Sequence, residues 1–286
     1  MSKIEKIENY HSNGMLSEKG VLKDGKVYGK WIYCYESGEK YKVINFDDNS
    51  EPHSSIKWYR NGQVWLECPS YEDGIETEWY EDGQKKIESS IKNTLVHGKR
   101  IEWYEDGQKK EECMYESGYR HGYSKRWYQN GKKRNEVFLE KGIQNGLFTE
   151  WYENGVVKEK GNFLNSEPEG EWIINYPSGE KDRELIYVDG LPNGLVTQWY
   201  ENGNKKFEGI FINGMKDGNS IVYYEDGQKK LEGFNKNDLG QGHHMIWNQN
   251  GKVVWEGNFK NDKPINSDDF PYSLFPGWKK DGSVKE

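Results

Sequence analysis

Apolar and polar positions alternate in short runs along this chain, and the runs return with a fixed period. In Phe148-Thr149-Glu150-Trp151-Tyr152 the alternation leads into Glu153-Asn154-Gly155, and a second alternating run leaves through Lys158 and Gly161 to Phe163. A period of two over strand-length segments bounded by Asn-Gly or Asp-Gly predicts β-hairpins. The turn glycines are Gly14, Gly38, Gly62, Gly83, Gly107, Gly131, Gly155, Gly179, Gly203, Gly227, Gly251 and Gly282. Nine of their eleven spacings are 24 residues, the exceptions being 21 (Gly62 to Gly83) and 31 (Gly251 to Gly282). A second glycine stands nine residues before the first, as in Gly98, Gly122, Gly146, Gly194 and Gly218. Each unit is therefore read as two strands and two turns. The Asn-Gly and Asp-Gly turns are read as type I′ and the second, at the second glycine, as looser.

The pattern fixes what each position carries. Alternation sends the Trp and Tyr that precede the first turn to opposite faces, giving two aromatic rows. The Trp row is Trp58, Trp79, Trp103, Trp127, Trp151, Trp199, Trp247 and Trp278. The Tyr row includes Tyr80, Tyr104, Tyr128, Tyr152 and Tyr200. In the Cys34 and Asn175 units Trp31 and Trp172 stand three residues earlier instead. Eight residues past the turn glycine the side chain is large (Ile91, Tyr115, Leu139, Phe163, Tyr187, Phe211, Phe259). Two residues earlier it is often small (Gly20, Cys68, Cys113, Gly161, Gly209, Gly233), which would let a neighbouring ring lie flat. Lys86, Lys110 and Lys158 at offset three, and Glu88, Glu112 and Glu136 at offset five, predict a charge ladder on one face, at roughly 0.2–1 kcal/mol per exposed pair.

The expected fold class is all-β. It is an elongated repeat protein of consecutive hairpins in one long twisted antiparallel meander, on the order of 110 Å for two dozen strands. Residues 1–262 form the array of about eleven repeats, and 263–286 a degenerate last repeat or C-terminal cap. The register is irregular at 45–74, where His53 replaces a second glycine and one unit is three residues short. That irregularity reads either as a bend that shapes a binding site or as a decayed repeat.

The Trp-Tyr-x-Asn/Asp-Gly signature with its second glycine resembles the MORN repeat in its bacterial variant. The clearest carriers are "GLFTEWYENGVVKEKG" (146–161) and "GLVTQWYENGNKKFEG" (194–209), and the resemblance runs from about residue 10 to residue 262. It implies hairpins joined into a grooved sheet, and protein–protein or lipid-surface interaction. The bacterial variant is similar to antitoxins and immunity partners of polymorphic toxins.

Composition narrows the function classes. Alanine is absent, while 12 Trp and 20 Tyr stand beside 33 Gly, which opposes a helical protein. The net charge of −8 opposes nucleic acid and anionic lipid and suits a basic protein partner. Cys34, Cys68 and Cys113 have no metal or disulfide spacing. No apolar leader and no run of ~20 apolar residues is present, so a cytoplasmic protein without integral membrane contact is expected. No phosphate loop or nucleophile elbow is written. His97 and His121 recur with the repeat and read as exposed turn residues, and His243-His244 lacks metal-ligand spacing. The reading is therefore a non-enzymatic scaffold without cofactor or metal. It binds a partner through the aromatic rows, with acidic contacts at Glu81, Asp82, Glu105 and Asp106. A carbohydrate or cell-surface module and a lipid-surface binder are the alternatives.

Overall fold

A computed structural model describes residues 2–265, Phe270 and Pro271. Gly282, Trp278 and most of the expected C-terminal cap lie outside the described residues. Among the described residues there is no helix, and all regular structure is strand.

The chain forms two compact units, 1–143 and 144–286. Unit 1 holds β1 (Ile4–Tyr10), β2 (Leu16–Lys23), β3 (Lys26–Cys34), β4 (Lys40–Phe46), β5 (Pro52–Trp58), β6 (Val64–Cys68), β7 (Asp73–Trp79), β8 (Lys85–Lys92), β9 (Leu95–Trp103), β10 (Lys109–Glu116), β11 (Tyr119–Trp127) and β12 (Lys133–Glu140). Unit 2 holds β13 (Ile143–Trp151, from its second residue), β14 (Val157–Leu164), β15 (Glu167–Asn175), β16 (Lys181–Val188), β17 (Leu191–Pro192), β18 (Gly194–Trp199), β19 (Lys205–Ile212), β20 (Met215–Tyr223), β21 (Lys229–Lys236), β22 (Leu239–Trp247), β23 (Val253–Lys260) and β24 (Lys263–Pro264). Within each unit consecutive strands pair antiparallel, so the expected meander of hairpins is present. Pro192, which has no amide hydrogen to give, ends β17, and β16 pairs with both β17 and β18.

The turn types are the reverse of the sequence expectation. At the first turn only the glycine has positive φ (Gly83, 91°). Gly83 N–H donates to Tyr80 O at 3.0 Å, and Tyr80 N–H to Gln84 O at 2.8 Å. The Asp82 carboxylate accepts from Gln84 N–H at 2.9 Å, so Asp82 holds the bend by a hydrogen bond and keeps negative φ. This is a type I turn closed by a left-handed glycine in a bulge. The type I′ turns lie elsewhere, at pairs such as Asn93-Thr94 (51°, 65°) and Asn213-Gly214 (50°, 83°), where both residues have positive φ. The second glycine of each unit is not a turn residue. Gly98 (94°) sits inside β9 at a bulge, between Ser89↔Arg100 and Ile91↔Val96. His97 and His121 are accordingly half-buried strand residues. His97 Nδ1 accepts from Ser117 N–H at 3.3 Å.

The first-turn bulge has a further effect. Glu78 pairs with Ile87 and Trp79 with Lys85, so Lys86 has no opposite residue. One extra residue inverts the alternation. The ion pairs therefore join offsets two and five, not three and five: Lys85–Glu88 at 2.5 Å, Lys133–Glu136 at 2.8 Å and Lys229–Glu232 at 2.6 Å. Lysines at offset three fall on the other face, where Lys110 pairs with Glu102 at 2.7 Å.

Most buried side chains come from one face, called here the packed face. It carries offsets four, six and eight past the first-turn glycine, and the residues five and seven before it. In unit 2 its core is Trp172, Leu185 and Val196, with Phe148, Phe163, Tyr187, Phe207 and Phe211 against it. Phe163 meets Trp172 edge-on at 5.1 Å, and Tyr187 does so at 5.9 Å. The small residue at offset six is what lets these rings lie down. A Cβ on Gly161 would fall inside the Trp172 indole, and one on Gly20 inside that of Trp31. Both indole N–H groups donate to strand carbonyls, Val21 O at 3.1 Å and Asn162 O at 3.2 Å. Trp31 and Trp172 have thus changed face relative to the Trp row and become core. A second cluster joins Ile246, Trp255, Phe259 and Phe270.

Candidate functional site

The tyrosine row is built into the scaffold. Within each unit a row hydroxyl crosses to the next repeat and donates to the backbone carbonyl at its Trp position: Tyr80 to Trp103 O (2.8 Å), Tyr104 to Trp127 O (2.8 Å), Tyr152 to Asn175 O (2.9 Å) and Tyr200 to Tyr223 O (2.9 Å). The lysine or arginine at offset three covers the ring, as Lys110 covers Tyr104 (5.8 Å), Arg134 covers Tyr128 (5.9 Å) and Lys206 covers Tyr200 (5.6 Å). Burial raises the pKa of the Tyr80, Tyr152 and Tyr200 phenols, so these hydroxyls stay protonated donors.

The tryptophan row lies on the opposite, open face. Trp58, Trp79, Trp103, Trp127, Trp151 and Trp199 are all half-buried. The lysine at offset two of the preceding repeat lies over several of them: Lys85 over Trp103 (6.0 Å), Lys109 over Trp127 (5.2 Å) and Lys181 over Trp199 (4.9 Å). The same lysines pair with glutamates at offset five, so the row is an alternation of indole, ammonium and carboxylate. Elsewhere the open face mixes charged positions, such as Lys99 and Lys125 paired with Glu112 and Glu136, with exposed apolar ones. Tyr123 lies opposite Phe138, Leu195 opposite Ile210, Val188 opposite Leu191 and Ile212 opposite Met215. Tyr123, Leu195, Ile210, Val188, Leu191, Ile212 and Met215 are exposed, and Leu147 reaches 67% exposure.

Of the acidic candidates, Asp82 and Asp106 spend one oxygen on their own turns, accepting from Gln84 N–H (2.9 Å) and Gln108 N–H (3.0 Å). Asp106 also accepts from Gln129 Nε2 at 3.0 Å. Glu81 and Glu105 are exposed at the tips.

Sequence reasoning missed a buried ion cluster on the packed face of unit 1. Glu111 is 7% exposed. It pairs with Arg120 Nη2 (2.9 Å) and Arg126 Nε (3.0 Å), with Arg100 Nη1 at 3.9 Å. The signal lay at offset four, where Leu66, Ile87, Phe207 and Leu231 stand in other repeats. The arginines come from β9 and β11, and no single repeat announces the group. Burial pushes the Cys68 thiol up to about 11 and also raises Cys113, which keeps both protonated and poor as nucleophiles. Among the described residues no group of three His, Cys, Asp or Glu side chains could hold a metal ion, and no helix is long and apolar enough to cross a membrane.

Five segments, 72–93, 96–117, 120–141, 144–165 and 192–213, match the model of the MORN repeat variant. No curated protein matches the chain. Among solved structures, a mutant Tc holotoxin pore from Photorhabdus luminescens is similar at 9% identity and a TM-score of 0.21, over 90% of this chain. A TcdB2-TccC3-Cdc42 crystal structure is similar at 8% identity and a TM-score of 0.15, also over 90% of this chain. The match spans 17% of each of those longer chains.

Proposed function

Because five of its segments match the MORN repeat variant, we propose that this chain is a non-enzymatic protein–protein interaction scaffold acting in the cytoplasm. In this reading it is of antitoxin or immunity type and holds a basic protein partner on its tryptophan-bearing open face. The observation that carries the reading is the exposed large apolar side chains on that face of each unit, Tyr123 in the first and Leu147 and the in-register pair Leu195–Ile210 in the second. Uncovered apolar rows rimmed by charge have the composition of interface cores. The partner's sign follows from the net charge of −8 and from Glu81 and Glu105 at the turn tips.

Affinity capture from the native host tests the reading with three proteins: wild type, E81K/E105K and L195D. The first variant reverses the tip charge and leaves the Asp82 and Asp106 turn bonds in place. One basic partner held by wild type, released by L195D and weakened by E81K/E105K in a salt-dependent way supports the reading. No partner at micromolar concentration, or a partner indifferent to both variants, sinks it.

A further inference from the structure

The repeat lattice of unit 2 has one site left unfilled. Eight residues past the first-turn glycine, Phe163, Tyr187, Phe211 and Phe259 put a ring on the packed face, and Asn235 stands at the equivalent place. One neighbouring position is reduced as well: Ser220 stands where the second and eighth repeats have Trp31 and Trp172, while the rings of Phe207 and His244 fill the space over Gly209 and Gly233. What remains is a recess of about 310 Å³ walled by Phe207, Leu231 and Phe259, at the small end of the range for ligand pockets.

Polar groups converge on it. Asn235 Nδ2 donates to Ser220 Oγ at 2.6 Å, which leaves the amide oxygen as an acceptor and the serine hydroxyl as a donor. His244 is 4% exposed and lies flat against Gly233. Its Nδ1–H donates to Gly242 O at 3.1 Å, so Nε2 faces the recess with a lone pair and no hydrogen-bond partner among the described residues. Burial lowers the imidazole pKa, which keeps it neutral. At the rim Asp238 and Asp262 each give one oxygen to a turn amide, Lys216 N–H at 2.8 Å and Gly240 N–H at 2.5 Å. Lys216 lines the same recess.

We propose that this recess is a binding site for one pyranose ring of a saccharide. The rim carboxylates repel phosphate and carboxylate ligands, and Lys216 together with the neutral imidazole disfavours a simple cation. A pyranose supplies hydroxyl donors for Asn235 Oδ1, His244 Nε2 and the carboxylates, accepts from Ser220, and sets its C–H groups against the apolar wall of Phe207 and Leu231. The site is on the packed face and is independent of the protein-binding open face.

Saturation-transfer NMR on the full chain tests this with the methyl pyranosides of glucose, galactose, mannose and N-acetylglucosamine, and with ethylammonium as the cationic control. The expected result is transfer to the ring protons of at least one pyranoside. Asn235→Phe restores the repeat's ring, and it should abolish the signal without lowering the melting temperature. Ser220→Ala should weaken binding about fivefold through loss of one hydrogen bond, and it carries the test if Asn235→Phe folds poorly. No transfer to any pyranoside overturns the proposal. So does transfer that survives Asn235→Phe unchanged, or transfer to ethylammonium alone.

Discussion

Gly161 and Glu159 stand two residues apart on β14 and show two ways in which one position is committed. A methyl group at Gly161 cannot coexist with the Trp172 indole in its present place. Gly161→Ala should cost about 1–3 kcal/mol in urea unfolding, and Gly161→Ala/Trp172→Val should recover part of that loss, because overpacking is relieved when the ring is removed. An additive double mutant would refute the pairing. Glu159 lies directly opposite Glu150, whose carboxylate holds Lys158 at 3.0 Å. Burial, then the hydrogen bond and charge of Glu150, raise the Glu159 pKa above its ordinary 4.5. The folded chain therefore keeps a proton that the unfolded chain has lost, and stability falls as pH rises from about 4.5 through the raised value. Glu159→Gln should stabilise the protein at pH 7, by roughly 0.2–1 kcal/mol for an opposed like-charge pair, and the gain should vanish below about pH 4. A gain independent of pH in thermal melts would contradict this. Small residues under rings were legible in the sequence because the repeat aligns them. The Glu111 cluster and the Asn235 recess were not, because each depends on which side chains the neighbouring strands bring beside one position.

Strands and hairpins were legible for a local reason: alternation and turn residues act over a few positions, and a dozen copies average out the noise. Which residues share a face was less legible, since bulges at the first turn and at the second glycine each reset the alternation. The charge ladder was misplaced by one residue on that ground. The type I′ turns were assigned to the wrong dipeptides because Asn and Asp serve both left-handed φ and side-chain capping. The observed turns give a direct test. Thr94 is β-branched and holds φ 65° in a two-residue turn. Thr94→Gly should raise stability by about 1 kcal/mol, near 2–4 °C in melting temperature, by relieving the left-handed strain. A lowered melting temperature would mean that the turn is not as described.

Over the whole molecule, repeats that touch only their sequence neighbours should lose stability locally. Gly20→Ala, which displaces Trp31, should speed amide exchange in β2 and β3 and leave the protection of β19 to β23 unchanged. Uniform loss of protection across the chain would show a single cooperative unit instead. The tyrosine ties also say how a repeat is counted. Tyr59 reaches Trp79 O at 2.9 Å across a unit three residues short, as Tyr80 reaches Trp103 O at 2.8 Å across a full one. The missing residues are taken from the far end, where β6 is only five residues long and Tyr71 OH bonds Ser55 Oγ at 2.7 Å. Within the first unit the tyrosine ties thus keep the first-turn ends of the hairpins in step, and the opposite ends tolerate edits in length. Foreign peptides for display belong at the Asn213-Gly214 hairpin tip, and the same insertion beside Gly203 would break the Tyr200 tie.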